Sequence, residues 1–246
     1  MFWRGLRELA RGFGQLLLPN ACLICDKPEG ERPDFRHGLC SGCWQSVAID
    51  FHNACPRCAA TVGPHADTTD GCSGCRGHAL GFAEAMRLGP YDGRLRDAIL
   101  RMKSLAGEGL AESLGEVAAE ILGDRIRDAR VDLIVPIPLH WRRWWQRGYN
   151  QSEAVARELG AELKIEVATR ALRRVNHSPQ HLQPSAAARR ENVRGAFRVR
   201  RGARVADRIV LLVDDVMTTG STATEAAKTL KDAGARRVLA AVLARD

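Results

Sequence analysis

Eight cysteines stand in four Cys-x-x-Cys pairs, Cys22/Cys25, Cys40/Cys43, Cys55/Cys58 and Cys72/Cys75, and none follows Cys75. A two-residue gap lets both thiolates of a tight turn face one metal ion, and two such turns complete a tetrahedral sulfur shell. Fourteen residues separate Cys25 from Cys40 and thirteen separate Cys58 from Cys72, the near-equal spacing of two tandem zinc ribbons. Disulfides would need an oxidising compartment, and a redox pair would need one Cys-x-x-Cys rather than four. The expectation is two structural zinc ions, with sequential pairing favoured over a cross-braced arrangement that spacing alone does not exclude. Four sulfurs leave no open position for water or substrate, so the metal part holds structure or docks a partner. His37, His52, His65 and His78 lie nearby but are not needed as ligands.

The second chemical stretch is Arg208-Ile-Val-Leu-Leu-Val-Asp-Asp-Val-Met-Thr-Thr-Gly-Ser-Thr222. It reads as a buried strand, two carboxylates, a small hydroxyl-rich turn and a helix. In an open α/β sheet, ligands sit at the carboxyl ends of the strands. Thr218, Thr219, Gly220, Ser221 and Thr222 would put N–H groups and hydroxyls at a helix start, where an anion such as a monophosphate is favoured. Asp214 and Asp215 would repel that phosphate on contact, but they suit neutral hydroxyls a few ångströms away. A ribose with a 5′-phosphate meets both demands. No Gly-x-x-x-x-Gly-Lys occurs, so the phosphate loop is not that of the nucleotide triphosphatases.

This strand–acid–acid–loop–helix resembles the signature of type I phosphoribosyltransferases. Val135-Pro-Ile-Pro-Leu139, Arg147-Gly-Tyr-Asn-Gln151, Ser178-Pro-Gln180 and Arg190-Glu-Asn-Val-Arg-Gly-Ala-Phe197 narrow the likeness to the ComF competence proteins. The order of zinc cysteines first and transferase domain second is also theirs. The resemblance implies phosphoribosyl pyrophosphate with Mg²⁺ as ligand, with Arg147, Gly148, Tyr149, Asn150 and Gln151 facing the pyrophosphate. It makes 173–195 the loop that closes over the ligand, with Gln180, Arg189 and Arg190 as its polar contacts. It also implies handling of single-stranded DNA during natural transformation, alongside DNA-import or recombination proteins in the cytoplasm. Two other readings stay open: an active transferase of unknown acceptor, as in base salvage, and a phosphoribosyl pyrophosphate sensor with a protein partner on the ribbons. Purine-salvage relatives carry an Asp where Thr218 stands, so the catalytic residues are not named. An acceptor hood would have to come from Gly81–Leu105.

The elements that must position these groups divide the chain near residue 80. Residues 1–80 hold the cysteines; residues 81–246 alternate helical and strand patterns. That alternation argues for an α/β fold: an open, mainly parallel sheet with flanking helices, preceded by a small zinc-ribbon domain. Helices are expected over Arg94–Lys103, Gly109–Arg127, Asn150–Leu163 and Thr222–Ala233. Strands are expected over Val131–Val135, Arg208–Val213 and Arg237–Leu243, with Pro136 and Pro138 ending the first abruptly. Phe2, Leu6, Leu9 and Phe13 sit at helical spacing, interrupted by Arg4, Arg7 and Arg11. That is the pattern of a helix packed on its own domain or lying on an anionic membrane surface, and not of a secretory signal.

The chain is 246 residues long, 45% hydrophobic and 27% charged, which supports a packed core and excludes collagen-like, coiled-coil and disordered classes. No apolar run approaches the roughly 20 residues of a membrane span. The net charge of +8 is unevenly placed. Residues 1–80 carry 8 basic and 8 acidic residues, while 170–208 carry 11 arginines against Glu191 and Asp207. Such a concentration suits phosphate-bearing partners. Trp141, Trp144 and Trp145 beside Arg142, Arg143 and Arg147 read equally as a base-stacking surface or as the buried flank of a helix.

Overall fold

A computed structural model describes residues 21–28, 35–48, 53–175 and 193–246. The expected closing-loop residues Gln180, Arg189 and Arg190, and the N-terminal helical pattern, lie outside them. The N-terminal part carries a two-stranded ribbon, β1 (Phe35–Arg36) and β2 (Leu39–Cys40), and a short helix α1 (Ser41–Val47). There follow β3 (Ala85–Pro90), α2 (Gly93–Arg101), α3 (Glu108–Asp128), β4 (Leu133–Pro136), α4 (Trp141–Arg147) and α5 (Gln151–Leu163). The chain continues through β5 (Leu172–Arg174), β6 (Phe197–Val199), β7 (Ile209–Met217), α6 (Ser221–Asp232) and β8 (Arg237–Arg245).

The main sheet has the order β3-β8-β7-β4, and every pairing in it is parallel. Its strands are near-continuous apolar runs because both faces are covered. Alternate residues feed two cores: Leu211, Val213, Leu239 and Leu243 pack with α2, α3 and α5, whereas Val210, Leu212, Ala240 and Val242 pack with α6 and the β5–β6 ribbon. Cys22, Leu39, Cys43 and Val47 from the first ribbon join the former core. That ribbon is fastened by the Arg101–Asp26 pair at 2.5 Å and by Glu116 and Glu120, which meet the two ring nitrogens of His37 at 3.1 and 2.9 Å.

Three expectations change. The strand ended at Val213 in the sequence reading runs on to Met217, because β8 pairs with it as far as Met217↔Arg245. Asp214 and Asp215 therefore sit in a strand rather than a loop. Gly81–Leu105 forms β3 and α2 of the main domain, and not a hood. The sequence reading missed β3, whose six residues include a buried arginine, Arg87.

Candidate phosphoribosyl and zinc sites

The candidate site begins where one strand stops and its neighbour does not. Pro136 is the last β4 residue paired with β7, opposite Val213, and Ile137 N–H makes a final bond to the Val213 carbonyl at 2.9 Å. Beyond that point, among the described residues, β7 is flanked only by β8, which leaves a crevice beside Asp214 and Asp215. This is a switch point of the parallel sheet, where ligands are received.

Both carboxylates are half-buried and held from below. Ser152 Oγ donates to Asp214 Oδ1 at 3.0 Å, and the Asp215 N–H donates to the same oxygen at 3.0 Å. Val216 N–H donates to Asp215 Oδ1 at 2.7 Å. Burial, and next the charge of Asp215, push the Asp214 carboxyl up to about 7, against the pull of its hydrogen bonds and of Lys103. The Lys103 ammonium lies 3.2 Å from Asp215 Oδ2. Sequence reasoning missed Lys103: a single lysine after an amphipathic helix carries no spacing signal.

The 147–151 motif stands on the far side of the crevice, with Arg147 half-buried and Gly148 exposed. Tyr149 is buried, and its hydroxyl donates to the Met102 carbonyl, the residue before Lys103. Burial pushes that phenol well above its usual range. Asn150 caps α5 by position and donates to the Ile137 carbonyl at 3.1 Å, tying the motif to the end of β4. Gln151 is 1% exposed, and its Nε2 has no hydrogen-bond partner among the described residues. The structure thus brings together 147–152 and 214–215. Within the motif Asn150 and Gln151 are buried, and Gly148, Tyr149 and Asn150 also line a cleft with Trp144 and several glutamates.

After Met217 the chain turns through Thr218 and Thr219 to Gly220, whose φ of +72° is the left-handed value that glycine adopts freely. The Ser221 N–H, the first of α6, donates to Thr219 Oγ1 at 3.4 Å. Thr219 Oγ1 and Ser221 Oγ are 2.6 Å apart, so the hydroxyls form a paired rim. Anions are stabilised at such a helix start.

Beside this loop lies an open cavity of about 1240 Å³, lined by Thr218, Thr219, Ser221, Arg198, Lys228 and, from the second ribbon, His78. The second ribbon thus lines this cavity together with the turn before α6. Gly81 makes the junction close: a Cβ there would stand 2.2 Å from the Thr224 carbonyl oxygen on α6. Arg245, at the end of β8, donates to the Cys58 carbonyl at 3.2 Å.

The cysteines gather as two sequential tetrads, Cys22/Cys25/Cys40/Cys43 and Cys55/Cys58/Cys72/Cys75, with all sulfurs of each within 4.8 Å of one another. Sulfur–sulfur separations of 3.6 to 3.8 Å match the edge of a tetrahedron with metal–sulfur bonds of about 2.3 Å. All eight cysteines are free of disulfides. Burial opposes ionisation of Cys22 and Cys55, yet backbone N–H groups, from Cys40 in one site and from Cys58 and Cys72 in the other, hold both thiols at about 7. The donor set and its geometry are those of structural zinc.

Trp145 is 75% exposed and Trp144 49%, so neither belongs to a buried helix flank. Trp144 shares a cleft with Glu108, Glu112, Glu153 and Glu158. No helix among the described residues is long and apolar enough to cross a membrane.

Comparison with known proteins agrees with this geometry. Residues 111–246 match the phosphoribosyl transferase domain and residues 13–78 the double zinc ribbon domain. Competence protein F of Haemophilus influenzae is 30% identical over 228 residues, covering 91% of this chain and 96% of that protein. DNA utilization protein YhgH of Escherichia coli K12 is 30% identical, with the same coverage of each chain. Competence protein ComFC of Streptococcus pneumoniae is 26% identical, covering 81% of this chain and 84% of its own.

Proposed function

The chain belongs to the competence protein F family of phosphoribosyl transferase domain proteins, and from that premise we propose that it binds phosphoribosyl pyrophosphate with Mg²⁺ and handles single-stranded DNA during uptake. The observation that carries the ligand is the crevice: two acids fixed by Ser152 and the backbone, with a hydroxyl-rimmed helix start a few residues on. Asp214 and Asp215 accept the ribose hydroxyls, 218–222 takes the 5′-phosphate, and 147–151 faces the pyrophosphate. Gln180 and Arg190, which lie outside the described residues, are its further contacts in this reading. Mg²⁺ neutralises the pyrophosphate and helps it to leave if transfer occurs.

The DNA part rests on relatives whose names speak of competence and DNA utilization and on surface charge. Arg170, Arg173, Arg194, Arg198, Arg200, Arg201 and Arg204 are all exposed. Trp145 offers a stacking face. The glutamates beside Trp144 disfavour a phosphate backbone on that side, so the strand crosses Trp145 and the arginines. DNA-import or recombination proteins are the partners this role requires, and the cytoplasm is its place.

Calorimetric titration with phosphoribosyl pyrophosphate and Mg²⁺ tests the ligand. Adding a single-stranded oligonucleotide to the saturated protein then tests for a ternary complex. Pyrophosphate release with a panel of bases would establish transfer. No heat with phosphoribosyl pyrophosphate would overturn the reading.

A further inference from the structure

We propose that Lys103 is a specificity-determining residue that selects a pyrophosphate-bearing sugar over ribose 5-phosphate by leaving Asp215 for the pyrophosphate when the ligand arrives. The inference rests on the phosphoribosyl pyrophosphate reading above and goes beyond it, since Lys103 belongs to none of the motifs on which that reading stands.

Asp214 and Asp215 are adjacent acids at the floor of an anion-binding crevice. The Lys103–Asp215 contact at 3.2 Å is the one ion pair either acid makes among the described residues. Both side chains are largely sheltered, at 25% and 18% exposure, so the pair is less screened than a surface pair. A lysine is suited to exchange partners: its ammonium is a compact charge on a four-carbon stem with three rotatable donors.

Where Lys103 can turn is fixed by the backbone beneath it. The 102–107 segment is a chain of tight turns, with Lys103 N–H bonded to Leu100 O and Gly107 N–H to Ser104 O, each at 3.1 Å. Met102 is fully buried, and its carbonyl receives the Tyr149 hydroxyl. Leu105 lies against Gly148, its Cδ2 being 3.9 Å from where a Gly148 Cβ would stand. The turn that carries Lys103 is therefore docked on Gly148–Tyr149, and its ammonium reaches the acids from that side. A ligand with its 5′-phosphate on 218–222 and its hydroxyls on the acids presents its C1 substituent to Lys103. In ribose 5-phosphate that substituent is a hydroxyl, which gives the ammonium no reason to leave Asp215. In phosphoribosyl pyrophosphate it is a polyanion, and a charge-assisted contact replaces the ion pair.

The test compares Lys103→Gln and Lys103→Arg with the wild-type chain by calorimetry, using phosphoribosyl pyrophosphate and ribose 5-phosphate, each with Mg²⁺. Lys103→Gln should weaken phosphoribosyl pyrophosphate about tenfold to a hundredfold, the scale of one charge-assisted bond. It should leave ribose 5-phosphate unchanged or tighter, and Lys103→Arg should restore much of the preference. A second measurement needs no variant: phosphoribosyl pyrophosphate should shield Lys103 from acetylation, read by peptide mass spectrometry, and ribose 5-phosphate should not. Equal weakening of both ligands, or equal shielding by both, would overturn the inference while leaving the ligand assignment intact. A wild-type chain that binds neither sugar would overturn the underlying reading instead.

Discussion

Replacing Asp214 by Asn should stabilise the folded protein at pH 8 and not at pH 5, while removing the ribose site. The Asp214 carboxyl is raised from 3.8 to about 7, first by burial and then by Asp215. The folded state thus holds this proton more tightly than the unfolded chain does. Stability from that preference is fully present below the unfolded value of 3.8 and is lost as pH rises through about 7. A shift of about three units is worth at most about 4 kcal/mol at 1.36 kcal/mol per unit. Asn keeps one acceptor oxygen for Ser152 and the Asp215 N–H, and the lost charge on those bonds takes back about 1–2 kcal/mol. Partial solvent access lowers the ceiling further, so a gain of about 1–2 kcal/mol remains. For a chain of this size that is roughly 2–8 °C in melting temperature. Thermal scans of both proteins across pH 5–8, followed by fluorescence, would read it as a divergence that opens towards pH 8. A variant equally displaced at every pH, or destabilised at pH 8, would refute the claim that an ionised Asp214 is a cost carried for ligand binding.

Other outcomes follow from the same geometry. Metal analysis should find two zinc ions per chain, and chelation should loosen both ribbons because metal binding there is folding free energy; a metal-free chain with four disulfides would end that assignment. Changing Asp214 and Asp215 together to Ala should weaken phosphoribosyl pyrophosphate by about 2–4 kcal/mol in calorimetry, and unchanged affinity would remove the ribose site from the acids. Gly81→Ala should cost about 1–3 kcal/mol, since its Cβ would press on the Thr224 backbone; a variant with wild-type melting temperature and ligand affinity would show that the ribbon–helix junction gives way freely. If about four phosphates are neutralised, a plot of log K for single-stranded DNA against log salt should slope near −3, and no binding at low salt would leave only the ligand-binding role.

Much of the site was legible because its chemistry is local. The two acids, the hydroxyl-rich turn and the cysteine pairs each occupy a short run whose spacing states its own geometry. β7 was misjudged in length because Asp214 and Asp215 have low strand propensity, whereas the pairing that carries the strand to Met217 comes from β8, some thirty residues on. β3 was missed because Arg87 breaks its apolar run; the arginine is buried and reaches Thr61 Oγ1 at 2.8 Å, a partner no local pattern announces. Lys103 was missed for the same reason, its meaning residing in Asp215, far along the chain.

The ribbons illustrate the opposite limit. Their ligands could be named residue by residue, yet their place in the molecule could not. Spacing describes a metal shell and says nothing of what the shell is packed against. The first ribbon shares a core with α2 and α3. The second is bound through Arg57 to its own Cys75 and His78 carbonyls at 2.9 and 2.7 Å, and through Arg245 to the end of β8. Gly81 then presses the chain leaving that ribbon onto the first turn of α6, the turn proposed above to take a phosphate. A closed four-sulfur metal site does no chemistry itself. Here it fixes one wall of the cavity beside Thr218, Thr219 and Ser221, so loss of the second zinc should loosen that turn as well as the ribbon. The metal-held segment and the domain that follows it therefore line this cavity jointly.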